Sequence, residues 1–197
     1  MIPRALIAAF AAAISLMPTI ASAHTGLGGA HDFFHGFMHP IGGLDHVLAM
    51  VAVGMVAARL GGRALWLLPT AFVTIMAASG ALGAIGVAVP FVEAGIALSV
   101  LVLGAALACD TKLPLAAAMA MVGFFAVFHG HAHGAEMPAS VSGLTYGLGF
   151  VAATVLLHGV GIGLGLLIGH AGDSQRVARF AGGAISLAGV GLLASAT

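Results

Sequence analysis

Charge is what this chain has least of: only 6% of its 197 residues are Asp, Glu, Lys or Arg. Soluble domains carry about a quarter, so the composition indicates a polytopic membrane protein rather than a water-facing globule. Six Lys and Arg and a formal net charge of zero leave no basic surface for nucleic acid. The one cysteine, Cys109, excludes an intrachain disulfide and a cysteine-built metal centre. A Walker motif is also missing, so the chain cannot hydrolyse ATP itself. What it has instead is 61% hydrophobic residues, 30 glycines and ten histidines, more than all its Lys and Arg together.

Residues 1–23 read as a cleaved signal peptide. "MIPR" supplies a positive start, "ALIAAFAAAISLM" a short apolar core and "ASA" a small-residue cleavage site. The remainder, 24–197, is expected to be one all-α membrane domain beginning at His24. Six apolar segments predict transmembrane helices: Ile41 to Ala58, Ala64 to Val87, Phe91 to Ala108, Leu113 to Phe128, Val141 to Gly169, and Val177 to Ala196. Backbone polar groups find no water in the bilayer core, so helices are the form these segments can take. Short connections make consecutive helices antiparallel neighbours in a bundle.

Basic residues orient that bundle. Arg59 and Arg63, Lys112, and Arg176 and Arg179 fall in alternate connections, while the others contain no Lys or Arg. The positive-inside rule makes the basic connections cytoplasmic and both mature termini external. A multi-pass membrane protein with both mature termini on the outer side is therefore expected.

The same orientation sorts the histidines. His24, His31, His35, His39 and His46 fall outside or in the outer half, as do His129, His131 and His133. Asp32, Asp45, Glu93 and Glu136 share that half, and no Lys or Arg is there to pair them. Carboxylates so placed require protons, imidazolium or a metal cation as partner. His158 lies deeper, near the middle of the fifth span.

Two stretches concentrate this chemistry. In "HPIGGLDH", Pro40 fits the first turn of a helix, and Gly42 and Gly43 weaken winding just before Asp45. On a straight helix His39 and His46 would lie about 10 Å apart along the axis. Either the glycines bend the chain, or the two histidines serve successive positions along a path. In "FHGHAHGAE", one helical turn aligns His129 with His133, and Glu136 follows three residues later. Upstream, His31, His35 and His39 recur every four residues and would share one face. Glu93 is placed to complete a ring. Imidazoles with a few carboxylates suit borderline divalent ions such as Ni(II), Co(II), Zn(II) or Cu(II). By contrast, the G-x-G pattern of "GVGIGLGLLIG" has no strand before it. Gly161, Gly165 and Gly169 there predict a smooth packing stripe.

With these motifs the sequence resembles the HupE/UreJ family of bacterial nickel permeases. "HPIGGLDHVLAMVAVG", His39 to Gly54, fits the family's first signature, "FHGHAHGAE" its second, and the likeness runs the length of the chain. The resemblance implies uptake of Ni(II) across the bacterial inner membrane, with both mature termini periplasmic, to supply hydrogenase or urease, and Co(II) in some relatives. It carries His39, Asp45, His46, His129, His133 and Glu136 over as metal-handling residues. His24, His31, His35, Glu93, His131 and His158 remain additional candidates at the entry or along the path. No permanently bound cofactor is expected. The partners are the metal ion and the lipid bilayer, with cytoplasmic nickel-enzyme maturation proteins as recipients, and no oligomeric state follows. Two other readings stand beside a permease: a metal-dependent membrane enzyme using the same ligands, and a redox subunit with haem between His46, His129 or His158.

Overall fold

The computed structural model describes residues 28–170 and 173–196; the expected signal peptide and His24 lie outside them. Seven helices account for the described residues: α1 Gly28–Gly42, α2 Leu44–Leu60, α3 Ala64–Ala84, α4 Val92–Ala108, α5 Leu115–Ala135, α6 Gly143–Gly169 and α7 Ser174–Ser195. Four of them, α3, α5, α6 and α7, are long and apolar enough to cross a membrane. Helix α4 is apolar but shorter, at 17 residues, and α1 with α2 makes a fifth candidate if that bent pair counts as one span. Several such helices in one chain make it a multi-pass membrane protein.

Helices pair along their lengths: α3 with α5, α4 with α7, and α6 with both α1 and α2. Met50, Leu68, Phe72, Val100, Leu103 and Val122 are fully buried between them. Large apolar side chains such as Trp66, Phe124, Leu144, Phe180 and Leu187 face outward, the arrangement lipid favours. Where α2 meets α6, the backbones come so close that a Cβ on Gly54 would strike the His158 carbonyl, and one on Gly161 the Val51 carbonyl. Gly165 packs on Ala58 in the same seam, whereas Gly169 faces open space. The predicted glycine stripe therefore ends one turn early. This seam fixes α2, with His46, against α6, with Thr154.

Two sequence expectations change at the first motif. Pro40 does not open a helix; it lies in the last turn of α1. Proline cannot donate a backbone hydrogen bond, and α1 stops two residues later. Gly43 then takes an extended conformation as the N-cap of α2, and the axis turns by 82°. The predicted first span, Ile41 to Ala58, is thus divided at this corner. The expected fourth span also grows, since α5 runs past Phe128 to Ala135. Its added turns carry all three histidines of the second motif inward.

Candidate metal centre

The corner between α1 and α2 is the device that gathers the site. It turns His39, at the end of α1, and His46, in the first turn of α2, toward the last turns of α5. His133 stands between them, its ring centroid 5.0 Å from that of His39 and 4.9 Å from that of His46. Of the two arrangements the glycine pair allowed, the bent one occurs.

Two groups of three donors result: His46, His129 and His133, and His39, His133 and Glu136. Within each, the donor atoms lie within 4.8 Å of one another. Metal–nitrogen bonds of about 2.1 Å set neighbouring donors about 3 to 3.5 Å apart, so modest side-chain rotation would close either group on an ion. The first is the deeper, with His46 and His129 fully buried. The second is more open, with the Glu136 side chain 53% exposed.

His133 belongs to both. Its Nε2 lies 3.1 Å from His46 Nδ1, while its Nδ1 lies 3.5 Å from Glu136 Oε2. That same oxygen accepts a hydrogen bond from His39 Nε2 at 3.2 Å. One imidazole therefore presents one edge to each group. The wall around it is aromatic, with Phe150 against His46 and His133 and Tyr146 against His39. Phe72 packs on both His129 and His158.

Other sequence candidates are arranged differently. Asp45 lies in the first turn of α2, and its Oδ1 accepts the His46 backbone N–H at 2.7 Å. A Cβ at position 43 would lie 2.8 Å from that oxygen, so glycine keeps the space open for it. The carboxylate thus satisfies an orphan helix donor and complements the helix dipole, and it belongs to neither donor group. Glu93 is exposed at the start of α4 and also joins neither group. His131, two residues from His129 and so about 200° around the helix, donates from Nε2 to the Val87 carbonyl at 2.6 Å. It anchors the α3–α4 connection instead. A Cβ on Gly130 would strike the Met76 carbonyl, so that glycine lets α5 approach α3 here. His35 is exposed and stacks edge-on against Tyr146, with His31 beside it. His158 is buried, and neither ring nitrogen has a hydrogen-bond partner among the described residues.

Sequence reasoning missed two hydroxyls. Thr154 Oγ1 lies 3.2 Å from His46 Nε2, and Ser99 Oγ 2.8 Å from His129 Nε2. Both side chains are fully buried. The available signal was a small hydroxyl residue within an apolar stretch of helix, where such groups seek partners across the interface.

The opposite end of the bundle carries different chemistry. Arg59, from the end of α2, pairs with Asp110 in the α4–α5 connection, donating from Nε at 2.7 Å and also from Nη2. Gln175 Nε2, from α7, donates to the other Asp110 oxygen at 2.9 Å. These hydrogen bonds, Arg59's foremost, hold the Asp110 carboxyl below its usual range. Three of the connections read as lying on one side are thereby tied together.

Comparison with known proteins agrees with these motifs. The chain is 52% identical over 178 residues to Protein HupE of Rhizobium leguminosarum bv. viciae, covering 90% of this chain and 92% of that relative. No solved structure matches it. A family profile described as HupE / UreJ protein matches residues 12–192, and the chain belongs to that family.

Proposed function

We propose that this chain is a secondary permease that carries Ni(II), with Co(II) as alternative cargo, from the periplasm to the cytoplasm. In this reading α2 to α7 form six spans behind a cleaved signal peptide, in the bacterial inner membrane, with both mature termini periplasmic. Helices α2 and α4, of 17 residues each, extend about 26 Å, slightly less than the usual hydrocarbon thickness of about 30 Å. The observation that carries the reading is the pair of donor groups joined through His133. Imidazole and carboxylate select borderline divalent ions. The family resemblance narrows these to nickel or cobalt.

The outer group, His39, His133 and Glu136, captures the ion where its carboxylate is accessible. The deeper group, His46, His129 and His133, receives it next. A neutral imidazole offers one lone pair at a time, so His133 serves one position or the other and the ion passes along a single ring. Asp45 adds negative charge beside the deeper group and orients the start of α2. His158, with both nitrogens unpartnered among the described residues, is the next station inward. A divalent ion entering a negative cytoplasm gains about 4.6 kcal/mol per 100 mV, twice the single-charge value. Membrane potential is therefore a sufficient driving force. Acidification weakens uptake, because protons compete for the same lone pairs.

A haem site fits this geometry poorly. The rings of His46 and His129 are 5.2 Å apart, which leaves no gap for a porphyrin between them.

The test is uptake of radioactive nickel by cells producing His133→Gln at wild-type membrane levels. Loss of uptake to background is expected, since both groups lose a ligand. Wild-type uptake would refute the shared-ligand pathway.

A further inference from the structure

The two hydroxyls behind the deeper group each have one proton to give, and each has a backbone acceptor for it. Thr154 Oγ1 donates to the Phe150 carbonyl at 3.0 Å, one turn back along α6; the Met76 sulfur, at 3.8 Å, is the weaker acceptor. Ser99 Oγ donates to the Ile96 carbonyl at 2.6 Å. Such local bonds are the usual habit of Ser and Thr in helices. With its proton placed on that carbonyl, each hydroxyl oxygen accepts from the imidazole facing it.

That arrangement sets the imidazole tautomers. With each hydroxyl proton on its carbonyl, His46 donates from Nε2 to Thr154 and His129 from Nε2 to Ser99, at 3.2 and 2.8 Å. A neutral imidazole with a proton on Nε2 has its lone pair on Nδ1. His46 Nδ1 then accepts from His133 Nε2, 3.1 Å away, until an ion takes that proton's place. His129 Nδ1 is buried with no hydrogen-bond partner among the described residues.

We propose that Ser99 and Thr154 are positioning residues for metal binding, each holding one histidine as the Nε2–H tautomer so that its Nδ1 carries the lone pair that meets the ion. The inference rests on the metal reading of the same site and adds to it which nitrogen binds, and why. Groups that hold the second nitrogen of a ligating histidine commonly set metal affinity within a factor of about 10 to 100.

The test uses the full-length chain in lipid nanodiscs, with histidine labelled by nitrogen-15 and no metal added. At about pH 8, where ordinary imidazoles are neutral, the His46 and His129 signals are identified by their proximity to the Thr154 and Ser99 side-chain protons. Both are expected as Nε2–H tautomers, and Nδ1–H signals would overturn the proposal without recourse to any variant. Thr154→Val and Ser99→Ala are each expected to release one histidine into a tautomer mixture. Each should weaken Co(II) binding about 10- to 100-fold, while Thr154→Ser and Ser99→Thr, which keep the hydroxyl, restore both readouts. Tight wild-type Co(II) binding that neither Thr154→Val nor Ser99→Ala alters would overturn this proposal alone. A wild-type chain that binds no Co(II) would overturn the metal reading and this proposal with it.

Discussion

The two ends of the bundle both gather polar groups, but only one end neutralises its own charge. At the Arg59 end, the Asp110 carboxylate has a guanidinium and a carboxamide directed at its two oxygens. At the other end, the Glu136 carboxylate lies beside the imidazoles of His39 and His133, which carry no fixed charge. A carboxylate with a built-in Arg is a structural tie. A carboxylate among imidazoles, with no Lys or Arg partner among the described residues, is suited to a cation that arrives and leaves. In the proposed reading, the difference separates the end that fastens helices from the end that would handle cargo.

The sharpest break of this contrast comes from His129. His129→Ala removes a fully buried ligand of the deeper group and should lower Ni(II) affinity by about 100-fold or more, measured by titration calorimetry in nanodiscs. His131→Gln, two residues away, is the matched control. It disturbs only the bond to the Val87 carbonyl and should leave Ni(II) affinity near wild type.

A smaller effect is expected of Glu136→Gln. It weakens the outer group alone, so uptake should fall about tenfold at limiting nickel and recover at high nickel. Asp45→Asn keeps an acceptor for the His46 N–H while removing the charge. Its uptake at limiting nickel should fall further than that of Glu136→Gln, because the lost charge no longer draws the ion inward.

The smallest effect belongs to the fastening end. Asp110→Asn should leave uptake near wild type and lower the Tm slightly. Because Arg59 depresses the Asp110 carboxyl, its contribution is present above the ordinary Asp value of 3.8. It is lost as pH falls through the lowered folded value. The Tm difference between wild type and variant should therefore close in acid, as followed by thermal unfolding across pH.

Much of the imidazole-rich end was legible in sequence because its donor side chains occur at helical spacing. His129 and His133 are one turn apart, and Glu136 follows on the next. The glycine pair before Asp45 signalled a bend, although its size and the place of Pro40 at the end of α1 depend on how α1 packs on α6. Three things were hidden for physical reasons. The end of α5 was hidden because Gly and His interrupt the apolar run, yet a helix continues wherever neighbouring helices bury it. His131 looked like a ligand in the string but points away from its neighbours on the helix. Ser99 and Thr154 were hidden because one hydroxyl in an apolar helix looks like packing until the histidine facing it is known.

The central claim is that imidazoles from the corner helices and α5 hold the ion. X-ray absorption at the nickel edge, on full-length protein loaded with one Ni(II) per chain, tests it most directly. The account predicts outer-shell scattering from two or three imidazoles, diminished in His133→Gln. A shell of oxygen donors without imidazole scattering would contradict it.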